Sequence, residues 1–171
     1  MSRAFTLLEL LAVIAIIAIL TAVSIPALGY VKSQAHSAKC LGNLRQIGVG
    51  LSGYLADHDL RMPALAAARA SLSEDVPTID SVLLPYVGDA RVFACPADPG
   101  LFQATGTSYY WNSTLNGQSA ANLNFLNLVT DLTRIPVLVD KEGWHQFRKE
   151  KVNHLFADGH SQNQFRLFSN P

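Results

Sequence analysis

The side chains suited to chemistry are few in this chain: two cysteines, five histidines and an acidic complement of 13 within 171 residues. Toward the carboxyl end, Asp140, His154, Asp158 and His160 combine imidazole with carboxylate, a donor set able to hold a divalent metal. Their spacing matches no metal motif that we can name, and calcium would ask for oxygen ligands. Cys95 with His154 or His160 is the one nucleophile–base pairing to consider, but Pro96 follows Cys95 directly and both histidines lie far along the chain. Cys40 and Cys95 can bridge in an oxidising compartment or remain two buried thiols. The most unusual ionisable group is Glu9, the single charge between Ala4 and Leu28 in an otherwise apolar stretch. A lone charge in such a span costs several kcal/mol, which marks it as functional.

The elements that must position these groups begin with that stretch. About twenty apolar residues cross a bilayer as a helix. Three readings fit residues 5–28. A cleaved signal peptide would use Arg3 as a basic start and small residues such as Ala22, Ser24 and Ala27 after the core, but Glu9 sits inside the core. A plain membrane anchor explains the length and leaves the carboxylate without a partner. A helix that packs against its own kind in an assembly lets Glu9 meet a cationic group of a neighbour, most simply a free amino terminus. Pro26 would kink or interrupt the helix. Beyond it Val31, Ala35, Ala38, Leu41, Leu44, Ile47 and Leu51 recur at helical spacing, with Lys32, Gln34, His36, Lys39, Asn43 and Arg45 between them. The chain therefore reads as a membrane segment over 5–28 continuing into an amphipathic helix over 29–56.

Residues 57–171 suffice for one small core. A loop with a short helix at 64–71 is expected first, then a helix over 78–87 capped by Thr78, with Pro85 disturbing its last turn. Short strands are expected at 92–95, 108–111 and 136–140, and residues 123–132 read equally as helix or loop. Runs 152–157 and 160–165 flank Asp158-Gly159, a two-residue hairpin signal that needs no chemistry of its own. The expected fold class is α+β, a small antiparallel sheet packed on the amphipathic half of the long helix. Formal net charge is zero, with 13 basic and 13 acidic residues and no basic run, so no nucleic-acid partner is expected. No GxGxxG, Walker-type loop, HExxH or GxSxG is present.

Arg3-Ala4, then Phe5-Thr6-Leu7-Leu8-Glu9-Leu10 and a long apolar run with Pro26, resembles the prepilin amino terminus of type IV pilins and of type II secretion pseudopilins. The resemblance implies a pilin-like fold and cleavage between Ala4 and Phe5 by the prepilin peptidase. It implies methylation of the new amino group and pairing of Glu9 with the amino terminus of a neighbouring subunit during assembly. Ala4 stands where the family usually has glycine. A second resemblance lies in Cys40-Leu-Gly-Asn43-Leu44-Arg45-Gln46-Ile47-Gly48, Tyr54-Leu-Ala-Asp57-His58, Phe93-Ala-Cys95-Pro96-Ala-Asp98 and Asn153-His154-Leu155-Phe156-Ala157-Asp158-Gly159-His160. These segments are similar to pseudopilin-like proteins with a terminal H-x9-DG motif. Arg148 occupies the position of that histidine, and His145 is the nearest upstream candidate. Calcium sites in the major pseudopilins make a calcium ion the cofactor to consider, and otherwise none is expected.

Together these features imply a leader over 1–4 and a structural subunit of a secretion pseudopilus or pilus-like filament, not an enzyme. Its expected partners are copies of itself or related pilin-like subunits, the prepilin peptidase and an inner-membrane assembly platform. The expected location is a single pass of a bacterial inner membrane, with the carboxyl-terminal domain in the periplasm. An anchored extracytoplasmic binding domain and a tethered hydrolase are the alternatives.

Overall fold

The computed structural model describes residues 6–145 and 148–165 and, at Pro26, the backbone without the side chain. One helix dominates it: α1, Leu7–Asp57, runs for 51 residues and about 77 Å at 1.5 Å per residue. It continues through position 26 without interruption. By length and composition it is apolar enough to cross a membrane. Its first half is bare: Leu7, Ile17 and Leu28 are 83%, 54% and 65% exposed. Cover begins at Ser37, and Cys40, Leu44, Ile47 and Leu51 then turn a buried stripe toward a small domain.

That domain is a four-stranded antiparallel sheet with two short helices, so the fold is the pilin-like α+β arrangement of a long helix against a small sheet. The strands are β1 (Tyr109–Trp111), β2 (Pro136–Asp140), β3 (His154–Phe156) and β4 (Ser161–Gln162), in spatial order 1-2-3-4. Tyr110 faces Val139, Val139 faces His154, and Leu155 faces Ser161 in the ladders. Alternation sends Leu138 and Leu155 into the core with Ile47 and Leu51 of α1.

Helix α2, Ile79–Val87, starts where Thr78 donates its N–H to Ser81 Oγ at 3.0 Å and its hydroxyl to Asp80 Oδ1 at 2.8 Å. Pro85 lies in the last turn, and the helix still reaches Val87 before Gly88 closes it at φ 79°. α2 lies close against α1 because Gly50 has no Cβ: one built there would sit 2.5 Å from Val87 Cγ2. A short helix α3, Leu101–Thr105, completes the domain.

Several local expectations are corrected. Residues 92–95 form no strand, because Asp89 accepts the Arg91 N–H and starts a 3-10 turn over Ala90–Phe93. Residues 64–71 form no helix: the Ala66 N–H goes to Pro77 O, the Ala67 carbonyl accepts from Trp111 N, and Arg69 pairs with Asp80. These tertiary partners outcompete the helical ones. Residues 123–132, open between helix and loop, are loop; Phe125 bridges Val129 across Leu126 and Asn127, both at positive φ. The final hairpin uses a three-residue link, Ala157-Asp158-Gly159. Phe156 N donates to His160 O and Gly159 N to Phe156 O, with Gly159 at φ 87°.

Candidate functional site

Thr6 and Glu9 build the start of α1. Thr6 stands in extended conformation at the N-cap and its hydroxyl oxygen accepts the Glu9 N–H at 3.2 Å. Glu9 Oε2 in turn accepts the Thr6 N–H and the Thr6 hydroxyl, both at 2.9 Å. This is a capping box, which satisfies two otherwise orphaned groups of a helix start. Glu9 therefore has a partner within its own chain, contrary to the expectation that a plain anchor would leave it with none. The signal was present as Thr6-x-x-Glu9. Oε2 takes both bonds, and among the described residues Oε1 accepts none. Ala4 and Phe5, the expected cleavage and methylation positions, lie outside the described residues.

A second arrangement locks the domain to α1. Cys40 of α1 and Cys95 are joined as a disulfide with their Cα atoms 5.0 Å apart. Around it lies a buried polar chain that sequence reasoning did not assemble. Asp140 Oδ2 accepts the backbone and side-chain N–H groups of Asn153 at 2.8 and 2.9 Å, with His145 Nε2 at 3.2 Å. Ser37 of α1 donates to Asn153 Oδ1 at 3.3 Å, and Arg148 donates to the Ser37 oxygen. So His145 and Arg148, the two residues near the displaced motif histidine, both serve this junction. The hint in the sequence was His145 itself, which the linear spacing to Asp158 obscured.

The acidic and imidazole groups singled out as metal candidates do not gather. Asp140 points into the core, whereas His154 follows Val139 onto the other face of the sheet, toward Phe156 and Phe165. Burial pushes the His154 imidazole below its ordinary pKa, with Asp140 opposing. Asp158 and His160 pair with each other at the hairpin. Among the described residues, one set of three such groups brings its ligand atoms within 4.8 Å, namely Cys40, Cys95 and His145. Both of its sulfurs are taken by the disulfide. The nucleophile–base pairing is corrected in the same way: the imidazole beside Cys95 is His145, with Nε2 3.8 Å from Sγ, and not His154 or His160.

Asp98 organises the loop after Cys95. Burial works against its charge, but the Ser108 hydroxyl and the N–H groups of Gly100, Leu101 and Phe102 outweigh that and hold its pKa below the usual carboxylate value. The same Ser108 oxygen accepts the Cys95 N–H at 2.9 Å, so loop and disulfide are set together.

A family model described as the prokaryotic N-terminal methylation motif matches residues 1–25. That motif is typical of type IV pilins and pseudopilins. No curated protein and no solved structure gives a significant match to the chain.

Proposed function

We propose that this chain is a structural subunit of a pilin-like filament, a type II secretion pseudopilus or a related pilus. The observation that carries the reading is Glu9: a carboxylate on a bare apolar helix, inside a matched methylation motif. In this reading the prepilin peptidase cuts between Ala4 and Phe5 and methylates the new amino group. The apolar half of α1 first holds the subunit in a bacterial inner membrane, with residues 57–171 as a periplasmic head. It then packs among copies of itself or related subunits at an assembly platform. Glu9 Oε1 accepts the cationic amino terminus of a neighbour. Pro26 supplies no N–H to the ladder, so the helix is weakest to bending there.

Glu9→Gln tests this without disturbing the helix start, because glutamine also completes a capping box. The charge is what disappears, and with it an attraction that low dielectric strengthens and desolvation partly offsets. Incorporation into filaments, measured as the ratio of filament to total membrane protein, should fall by about tenfold, the effect of roughly 1.4 kcal/mol. Glu9→Ala should be at least as impaired, with processing at Phe5 checked by mass spectrometry on the same samples. Normal incorporation of both variants would remove the assembly contact from the reading. The alternative of an anchored binding domain draws on an apolar cleft of about 280 Å3 beside Trp111, Phe125, His154 and Phe165 on the outer sheet face.

A further inference from the structure

Where α1 enters the head, a cleft of about 310 Å3 opens beside Gln34. Arg148, Lys149, Glu150, Asn163 and Gln164 form its other walls, and Phe165 stands at its rim, 42% exposed. The cleft carries two cations against one carboxylate. Arg148 spends one nitrogen on Ser37, and among the described residues Lys149 makes no ion pair. Three amide side chains and Glu150 add donors and acceptors suited to hydroxyl groups.

The position of the cleft decides what reaches it. With the bare apolar run ending at Leu28, Gln34 lies about 9 Å further along the helix axis. Lipid headgroups fill about 5–8 Å beyond the hydrocarbon. The long side chains of Arg148 and Lys149 can bridge the remaining distance. Lys32, exposed one turn past Leu28 and without an ion pair among the described residues, adds a third positive charge at headgroup depth.

We propose that this cleft binds the phosphoglycerol headgroup of an anionic phospholipid and so seats the head on the bilayer surface. The phosphodiester meets Arg148 and Lys149. The glycerol hydroxyls meet Gln34, Asn163, Gln164 and Glu150, and Phe165 borders the apolar side. A choline headgroup offers no hydroxyls and brings a cation toward two cations, so it is disfavoured. This inference rests on the membrane-anchored reading, and it gives that stage a specific lipid that the subunit must release when it leaves the bilayer.

The test uses the full chain in nanodiscs of phosphatidylcholine containing phosphatidylglycerol, with spin-labelled lipids reporting which species the protein immobilises. Phosphatidylglycerol should be selected over phosphatidylcholine by about fivefold, the order expected for one well-placed basic group. Lys149→Gln should bring the ratio close to one. Lys151→Gln removes an equal charge outside the cleft and should leave it unchanged. If both variants lower the ratio equally, the attraction is diffuse and the site is overturned. Inorganic phosphate in excess should not displace the lipid; equal displacement would make this a free-anion site and overturn the lipid assignment. A chain that inserts but shows no selectivity sinks this inference alone. A chain that does not insert sinks the membrane reading with it.

Discussion

The two halves of α1 obey the same backbone rules and differ in what surrounds them. Both belong to one hydrogen-bonded helix, Leu7–Asp57. In the first half the apolar side chains are exposed, with Ile17 at 54%. In the second half Leu44 and Ile47 are fully buried. A helix whose side chains are apolar all round needs lipid or neighbouring helices, whereas one with a single apolar stripe needs a core. The difference teaches that the head can be destabilised without touching the membrane segment, and the reverse. Predictions can be ordered by how hard they press on that independence.

The largest effect should follow removal of the disulfide. Cys40→Ser with Cys95→Ser opens a link across 55 residues, and the loop-entropy relation gives about 4 kcal/mol of lost head stability. Denaturant unfolding followed by Trp111 and Trp144 fluorescence should record it, with membrane retention unchanged. If retention fell in parallel, the two halves would not be independent. Next comes a matched pair on the same helix. Leu44→Ala should cost the head about 3 kcal/mol, while Ile14→Ala should leave its thermal midpoint in place. Equal shifts in the two variants would erase the comparison.

The smallest effect concerns pH. The Asp98 carboxyl titrates lower in the folded head than in the unfolded chain, where it lies near about 3.9. Its ionised form therefore stabilises the head fully above that value, and the benefit disappears as pH falls through the lower folded value. Asp98→Asn should cost about 1–2 kcal/mol near neutrality, and the gap to the parent should close in acid. A gap independent of pH would mean that the hydrogen bonds, and not the charge, carry the effect.

The parts of the fold legible in the sequence are those written in one short segment. Val137, Leu138 and Val139 form a strand with Val137 and Leu138 buried, and Thr78 before Ile79 marks the start of α2. Of the apolar run at helical spacing, Leu44, Ile47 and Leu51 form the buried stripe and Leu41 is half-buried, whereas Val31, Ala35 and Ala38 are exposed and Cys40 takes the next buried place. What failed depended on partners distant in sequence. Residues 64–71 have helical composition, yet the partners of Ala66, Ala67 and Arg69 lie at Pro77, Trp111 and Asp80. Val92 and Phe93 look strand-like, but Asp89 bends the chain before a ladder can form. Of the candidate site, Glu9 was visible as an isolated charge. Its capping partner Thr6 stands three residues before it, at capping-box spacing. The chain from Ser37 through Asn153 and Asp140 to His145 joins residues more than a hundred positions apart, and no local pattern announces it.

The unbroken course of α1 has a mechanical consequence. The Cys40–Cys95 bond lies near the membrane-side edge of the buried stripe, ahead of Leu44, Ile47 and Leu51. A pull or push entering from the apolar half reaches that covalent link before it reaches Leu44, Ile47 and Leu51. Load then passes from helix to head through a bond, and the short ladders from β1 to β4 are spared from carrying it in series. A chain built this way transmits axial load as a rod, with its sheet carried alongside.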